Sequence, residues 1–231
     1  MGQGHRASPG RIHRSPRRVA RWPVLVQGAR AVHQGQYGGE PGAHSDLASL
    51  YERCGRIRGR PGSVTVLPVL TMPAGDITHP VPDLTGYITE GQIVLSPETH
   101  ARGVYPPLDA LSSLSRLMRK GAGPGRTRAD HLDVAAQLLA ALARARQVHD
   151  LADLVGQSAL SPTDRRYLDY DEAFLRDFAD QRSDEPRDLD TSLERGWRAL
   201  LTLPRSQLSM LPAPLLDTHG AKAAPGAEAS R

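Results

Sequence analysis

The chain has 231 residues, a formal net charge of +4, 39% hydrophobic residues and only 4% aromatic residues. This length is sufficient for one large or two small domains. A single cysteine, Cys54, excludes an intramolecular disulfide, and no run approaches the roughly 18 apolar residues of a membrane span. We therefore expect a cytoplasmic protein with no direct membrane insertion, rather than a disulfide-stabilised secreted domain.

Residues 1–44 differ in composition from the rest of the chain. Gly, Arg, Pro, His and Gln dominate, and the apolar residues have no period. Such a segment cannot bury enough surface to offset the entropy of ordering it, which predicts a disordered N-terminal arm. A basic arm can bind nucleic acid, but only Trp22 and Tyr37 offer rings for base stacking, so we expect no nucleic-acid binding.

The next region has the pattern of an α/β domain. A helix is predicted to begin near Ser45, and apolar runs predict strands at residues 64–70 and 92–95. The first run is apolar at nearly every position, which is typical of a strand buried on both faces of a parallel sheet. Residues 72–82 contain three prolines and predict a loop, and residues 109–119 predict a short helix.

Beyond residue 125 the period is helical. A long helix ending at Gly156 is predicted, with an apolar face formed by Leu132, Ala135, Leu138, Leu139, Leu142, Val148, Leu151 and Leu154. Ser161 and Pro162 are typical of the start of the next helix. Its expected buried stripe consists of Tyr167, Tyr170, Phe174 and Phe178.

A third helix is predicted to follow, ending before Pro204. Thr191 and Glu194 have the spacing of a capping box at its start. Short helical structure is possible over residues 206–211, and residues 218–231 are rich in Ala and Gly.

Two stretches resemble sites without matching one. Residues 121–127 are rich in glycine, but Arg126 stands where a phosphate loop requires lysine, and a flexible joint is favoured. Asp76, His79 and Asp83 could each ligate a metal, but loop hydrogen bonds are favoured and we predict no metal site. The chain also lacks the G-x-S-x-G and H-E-x-x-H signatures of hydrolases.

Arg116 is the most unusual charged residue. It lies between Leu114 and Leu117, and an arginine in apolar surroundings needs a partner within the chain or across an interface. Its planar guanidinium suits phosphate oxygens. On spacing alone, a salt bridge is favoured.

From about Ser45 to about His219 the sequence resembles the C-terminal part of the B subunit of V-type and A-type rotary ATPases, which is the non-catalytic regulatory subunit. The resemblance is carried by residues 45–56, 62–65, 76–96, 105–107, 113–118, 127–131, 164–168 and 197–204. A match over this length is far more specific than a short motif.

The resemblance implies a role for Arg116. It would be an arginine finger that reaches, in trans, the γ-phosphate bound by the neighbouring A subunit, with Ser113 and Ser115 supporting the nucleotide interface. ATP or ADP with Mg would lie at that interface, and this chain alone would bind no cofactor. The chain would therefore not be catalytic by itself.

The resemblance also implies partners. In the family, B subunits alternate with catalytic A subunits in a hexameric ring, contact the rotor subunits of the central stalk, and are held by peripheral stalk subunits. The complex couples ATP synthesis or hydrolysis to proton or sodium transport. The chain would thus be peripheral on the cytoplasmic face of the cell membrane.

The implied fold is the remnant of a P-loop-type nucleotide-binding α/β domain, with parallel strands and helices, followed by an all-α C-terminal bundle. We divide the chain into a basic arm (1–44), the α/β region (45–125), the helical domain (126–217) and a flexible tail (218–231). The family's β-barrel and the first part of its nucleotide-binding domain are expected to be missing. The abrupt change from the basic arm to the family-like sequence at Ser45 suggests a frameshift or a misplaced start in a truncated gene.

Two alternatives stay open. One is a truncated, non-enzymatic interaction module or a non-functional gene fragment, in which the helices bind ring or rotor partners without supporting turnover. The other is a nucleic-acid binder led by residues 1–60, which would show a salt-dependent DNA affinity that is lost when residues 1–44 are deleted. A partial sheet would also leave its strands with exposed faces.

Overall fold

The computed structural model describes residues 48, 49 and 51–223. They fall into two units, divided between Val69 and Leu70. The predicted disordered arm and the predicted helix start at Ser45 lie outside the described residues, as does the end of the predicted tail from residue 224. Residues 48, 49 and 51 are helical.

The strand predicted at residues 64–70 is wrong. Within the described part of the first unit, the only ladder contact is a single antiparallel bridge between Gly55 and Val64. Val69 exposes 89% of its surface, and Leu67 is similarly open. An apolar run becomes a strand only where neighbouring strands bond its edges and another layer covers its faces, and the described residues of this unit supply neither.

The second unit begins with short elements. They are a 3-10 turn at Pro73–Gly75, helix α1 (Pro80–Ile88), strand β1 (Gly91–Leu95), helix α2 (Pro97–Ala101), strand β2 (Leu108–Ser115) and helix α3 (Met118–Gly121). The strand predicted at residues 92–95 is confirmed as β1. The loop predicted over residues 72–82 ends early, because Pro80 has the fixed φ that suits the first turn of a helix.

Strands β1 and β2 form an antiparallel hairpin, so the predicted parallel arrangement is wrong. Gly91 lies opposite Ser115 and Leu95 opposite Leu108, and the register shifts between Gln92 and Val94. The helix predicted over residues 109–119 is also wrong, because this segment forms β2 and the short α3. Pairing with β1 overrides the weak helical preference of a Leu- and Ser-rich segment.

Helices dominate the rest of the second unit. They are α4 (His131–Val155), α5 (Pro162–Ala173), a π-helical turn (Phe174–Ala179), α6 (Leu189–Leu200) and α7 (Ala213–Ala223), with 3-10 turns at Gln157–Ala159 and Arg205–Gln207. The end of α4 at Gly156 is confirmed, and its φ of 83° suits glycine. Helix α7 extends into the segment predicted to be a flexible tail.

The buried face of α4 differs from the predicted one. It consists of Val134, Gln137, Leu138, Ala141, Ala145 and Val148. Leu138 and Val148 are as predicted, but Leu139 and Leu151 are exposed and Leu154 exposes 84% of its surface. Ala141 and Ala145 belong to the core that α4 shares with α5 and α6, and small side chains at such positions permit close helix packing.

The helix starts are set by polar side chains. The Ser161 hydroxyl accepts a hydrogen bond from the Asp164 N–H at 3.1 Å, which confirms the predicted start of α5. The capping box predicted for α6 is wrong, because α6 begins at Leu189. The Asp188 carboxylate caps it by accepting from the Thr191 N–H at 2.7 Å.

One hydrophobic core joins α4, α5, α6 and α7. The predicted aromatic stripe is confirmed: Tyr167, Tyr170 and Phe174 are buried in the core, and Phe178 packs against it, with its ring centroid 5.1 Å from that of Phe174. Among the described residues, the buried hydrophobic side chains all belong to this core, apart from Val104 and Ala173. The helical part of the second unit, which consists of α4 to α7 and is also called the bundle below, therefore provides most of the packing.

Candidate functional site

Arg116 follows the last residue of β2, at the open end of the hairpin. Its backbone N–H donates to the carbonyl oxygen of Glu90 at 2.9 Å. Its guanidinium Nη1 donates to the carbonyl oxygen of Thr89 at 2.6 Å. The residues just before β1 therefore hold both the backbone and the side chain of Arg116.

The guanidinium is exposed and has no acidic partner within the described part of the chain. The salt bridge favoured by spacing alone is therefore not formed there. An arginine has five N–H donors in a planar fork, so one bond to Thr89 leaves most of them available. Such a fork binds phosphate or carboxylate oxygens in pairs.

Ser113 has a structural place in the hairpin. Its hydroxyl donates to the carbonyl oxygen of Asp109 at 2.6 Å and accepts from the N–H of Val94 at 3.0 Å. These two bonds bridge the register shift between the strands. Ser115 is exposed and lies opposite Gly91 in the ladder. No hydrogen bond joins either serine to Arg116 among the residues that the structure describes.

Asp109 shapes the start of β2. Its carboxylate accepts from the N–H groups of Leu111 and Ser112 and from the Ser112 hydroxyl, at 2.6 to 3.1 Å. Partial burial acts to raise the pKa of Asp109, but the bonds from Ser112 and Leu111 hold it below its ordinary value. The ionised carboxylate thus stabilises the bend from which β2 leads to Arg116.

The glycine-rich segment at residues 121–127 uses its polar groups internally. The hydroxyl of Thr127 accepts from the Gly123 N–H at 2.8 Å and lies 3.0 Å from Nδ1 of His131. These contacts make the segment a turn that leads into α4.

The loop acids and histidine do not form a metal site. Asp76 accepts from the backbone N–H and the hydroxyl of Thr78, at 2.8 and 2.6 Å. No group of three or more His, Cys, Asp or Glu side chains within residues 48, 49 and 51–223 could hold a metal ion.

A charged network at the start of α4 was missed by sequence reasoning. The Arg128 guanidinium donates to both oxygens of Asp130 at 2.6 and 2.8 Å and also contacts Glu194. The indole N–H of Trp197 donates to Asp130 at 2.7 Å. Burial acts to raise the pKa of Asp130, but bonds from Arg128 and Trp197 keep it below its ordinary value. The sequence signal that could have revealed this network is Asp130, an acidic residue directly before the helix α4.

Two known protein domain families match the chain, one over each of its two main parts. Residues 27–115 match the ATP synthase alpha/beta family, nucleotide-binding domain, and residues 120–219 match the C-terminal domain of V and A type ATP synthase. The chain is 53% identical over 175 residues to the A-type ATP synthase B subunit of Sulfolobus acidocaldarius, covering 75% of the chain and 38% of that protein.

The chain belongs to the family of V- and A-type ATP synthase B subunits. It is also 56% identical over 182 residues to the V-type ATP synthase beta chain of an Anaeromyxobacter species, which covers 78% of the chain and 39% of that relative. The chain thus spans about two fifths of the length of these two curated relatives. Its resemblance to the family starts at residue 27, earlier than the Ser45 inferred from the sequence.

Among solved structures, the chain resembles the unique ATP synthase subunit NeqB from Nanoarcheaum equitans. The two are 41% identical with a TM-score of 0.65, over 74% of this chain and 42% of the other. Arg116 immediately follows the last residue of this chain that matches the family's nucleotide-binding domain. No helix among the described residues is long and apolar enough to cross a membrane.

Proposed function

We propose that the chain acts as the non-catalytic B subunit of a V- or A-type ATP synthase. In this proposal Arg116 is an arginine finger for ATP bound by the adjacent A subunit. The observation that carries it is the position of the guanidinium: exposed, held by Thr89 at the end of the hairpin, and without an acidic partner in the part of the chain that is described.

The chemistry of an arginine finger fits this geometry. Negative charge spreads over the oxygens of the γ-phosphoryl group as it is transferred, and a guanidinium fork stabilises that charge. The bond to the Thr89 carbonyl orients the fork before the phosphate arrives, which lowers the cost of reorganisation. The phosphate belongs to a nucleotide bound by another chain, so the site is complete only at an interface.

The nucleotide would be ATP or ADP with Mg. In this proposal, the chain's part is to supply and orient positive charge beside the phosphates through the guanidinium of Arg116. Ser113 supports this role indirectly, because it fixes the register of the strand that carries Arg116. Ser115 lies directly before Arg116, at the edge of the same interface.

The surface of the hairpin supports assembly with other subunits. Ile93 exposes 71% of its surface, and Leu95, Leu114 and Leu117 are also exposed. Large apolar surfaces of this kind mark protein interfaces. We infer that A subunits and other members of an alternating hexameric ring cover this surface, with rotor and peripheral stalk subunits beyond it. The ring would couple ATP turnover to proton or sodium transport at the cytoplasmic face of the membrane.

The test is ATP turnover by a complex of the full chain with the A subunit of the same organism. Arg116→Ala should lower kcat by about 10³-fold or more, because the transition-state charge loses its partner. Arg116→Lys should recover only part of the activity, since an ammonium lacks the fork. Gel filtration should show that both variants still assemble.

Arg119 provides the matched control. It is exposed on α3, three residues after Arg116, and forms no ion pair within the described residues. Arg119→Ala should therefore leave turnover unchanged. Normal turnover by the Arg116→Ala complex would refute the proposed role of Arg116 as an arginine finger.

A non-enzymatic interaction module is the second candidate. The exposed apolar side of the hairpin favours binding to other subunits whether or not Arg116 contributes to turnover. Stable association with the A subunit, combined with no ATP turnover by the unsubstituted complex, would support this alternative over the arginine finger.

A further inference from the structure

The loop between α2 and β2, residues 102–107, is hydrogen-bonded to the helical part at two points, which we call ties. At the first, Nη2 of Arg102 donates to Oδ2 of Asp171 at 3.1 Å. Asp171 lies on α5 and is 6% exposed, and Nε2 of His149 on α4 lies 3.2 Å from the same oxygen. A buried carboxylate on the bundle thus holds the start of the loop.

The second tie is formed around Tyr105. Its backbone N–H donates to Oδ1 of Asp180 at 3.0 Å, and its carbonyl oxygen accepts from the N–H of Gln181. Asp180 follows the π-helical turn, where its own N–H donates to the carbonyl of Leu175 at 2.8 Å. π-helical turns are rare and often mark functional positions.

The loop leads directly to Arg116. Strand β2 starts three residues after Tyr105 and runs eight residues, about 25 Å at roughly 3.3 Å per residue, to the residue before Arg116. Pairing with β1 and the bond from the Ser96 N–H to the Pro107 carbonyl at 2.8 Å keep this connection stiff. The place of Arg116 relative to the bundle therefore depends on where the loop is held, together with the packing of Ala110 on β2 against the core.

We propose that Asp180 and Arg102 are positioning residues that fix Arg116 relative to the helical part. This inference rests on the proposed function of Arg116. Neither Asp180 nor Arg102 belongs to the hydrophobic core of the bundle, so losing one tie should misplace the hairpin without unfolding the protein. A misplacement of about 1 Å can cost about 10²-fold in rate.

The experiment uses the same complex of the full chain with the A subunit. Asp180→Ala should lower kcat by about 10- to 100-fold with an unchanged KM for ATP, because the lost interaction acts only in the transition state. Asp180→Asn keeps an Oδ1 acceptor and should restore kcat. Asp184→Ala is the matched control, since Asp184 is exposed and its one ion pair among the described residues is with the exposed Arg182 in the same loop.

A double-mutant cycle separates positioning from a general structural effect. In an Arg116→Ala background, Asp180→Ala should cause no further loss of kcat, since there is no guanidinium left to position. A full additional loss in that background would overturn the inference. Arg102→Ala, at a partly exposed side chain, gives the same test and decides it if Asp180→Ala fails to assemble.

The outcomes also separate this inference from the proposed function. If Arg116→Ala does not lower kcat, the arginine finger itself fails. If Arg116→Ala lowers kcat while Asp180→Ala and Arg102→Ala both keep the unsubstituted value, only the positioning role fails.

Discussion

The helical part and the β1–β2 hairpin differ in how well each is packed. Val134, Ala145 and Val148 on α4 are fully buried, whereas Ile93 and Leu95 on β1 are exposed. A helix bonds its own backbone and needs only one face covered, but a strand needs neighbours at its edges and layers on its faces. The region that carries the candidate chemistry is therefore the one that depends on contacts with other protein surface, while stability resides in the bundle.

The largest stability effect should come from the centre of the bundle. Trp197 is 1% exposed, and Trp197→Ala should lower the free energy of unfolding by about 3–5 kcal/mol, because a large cavity forms and the bond to Asp130 is lost. Urea denaturation followed by far-UV circular dichroism measures this change. Tyr87→Ala, at an exposed position near the hairpin, is the control and should have little effect. Equal losses in the free energy of unfolding for the two variants would contradict the difference in packing between the bundle and the hairpin.

The charged network should make the bundle sensitive to acid. The pKa of Asp130 is lower in the folded protein than its ordinary value of 3.8, so its contribution to stability is present above that value and is lost as the pH falls through the folded pKa. Asp130→Asn should lower the free energy of unfolding near pH 7 by about 3 kcal/mol, since it breaks a largely buried pair.

The same variant should also flatten the dependence of stability on pH below 3.8. Urea midpoints measured across this range test the prediction. An unchanged pH dependence in Asp130→Asn would place the acid sensitivity at other carboxylates.

The smallest stability effect should come from the outer face of the hairpin. Ile93→Ser should change the free energy of unfolding by no more than about 0.5 kcal/mol, because the side chain is already exposed. It should nevertheless weaken the proposed binding to the A subunit. Sedimentation velocity of the chain mixed with that partner measures this binding. A large loss of stability would show that this face is covered in the free chain.

The candidate site was only partly predictable from the sequence. Arg116 was identified by its surroundings and by the family resemblance. Its partner Thr89 lies 27 residues earlier, and the tie between Tyr105 and Asp180 spans 75 residues. No local signal encodes contacts of that sequence separation, because they exist only once the hairpin and the bundle have packed. The role of Arg116 itself stays a prediction for the turnover experiment.

The sequence by itself determined the three longest helices α4, α5 and α6, the end of α4, the start of α5 and the aromatic stripe that runs from α5 into the π-helical turn, because capping bonds and a 3.6-residue period act within a few residues. Only the tertiary structure decided that residues 108–115 form a strand, that the sheet is antiparallel, and that Ala141 rather than Leu139 faces the core. The physical reason is the same in each case. Strand pairing and close helix packing depend on partners distant in the chain, and these partners outweigh local preference.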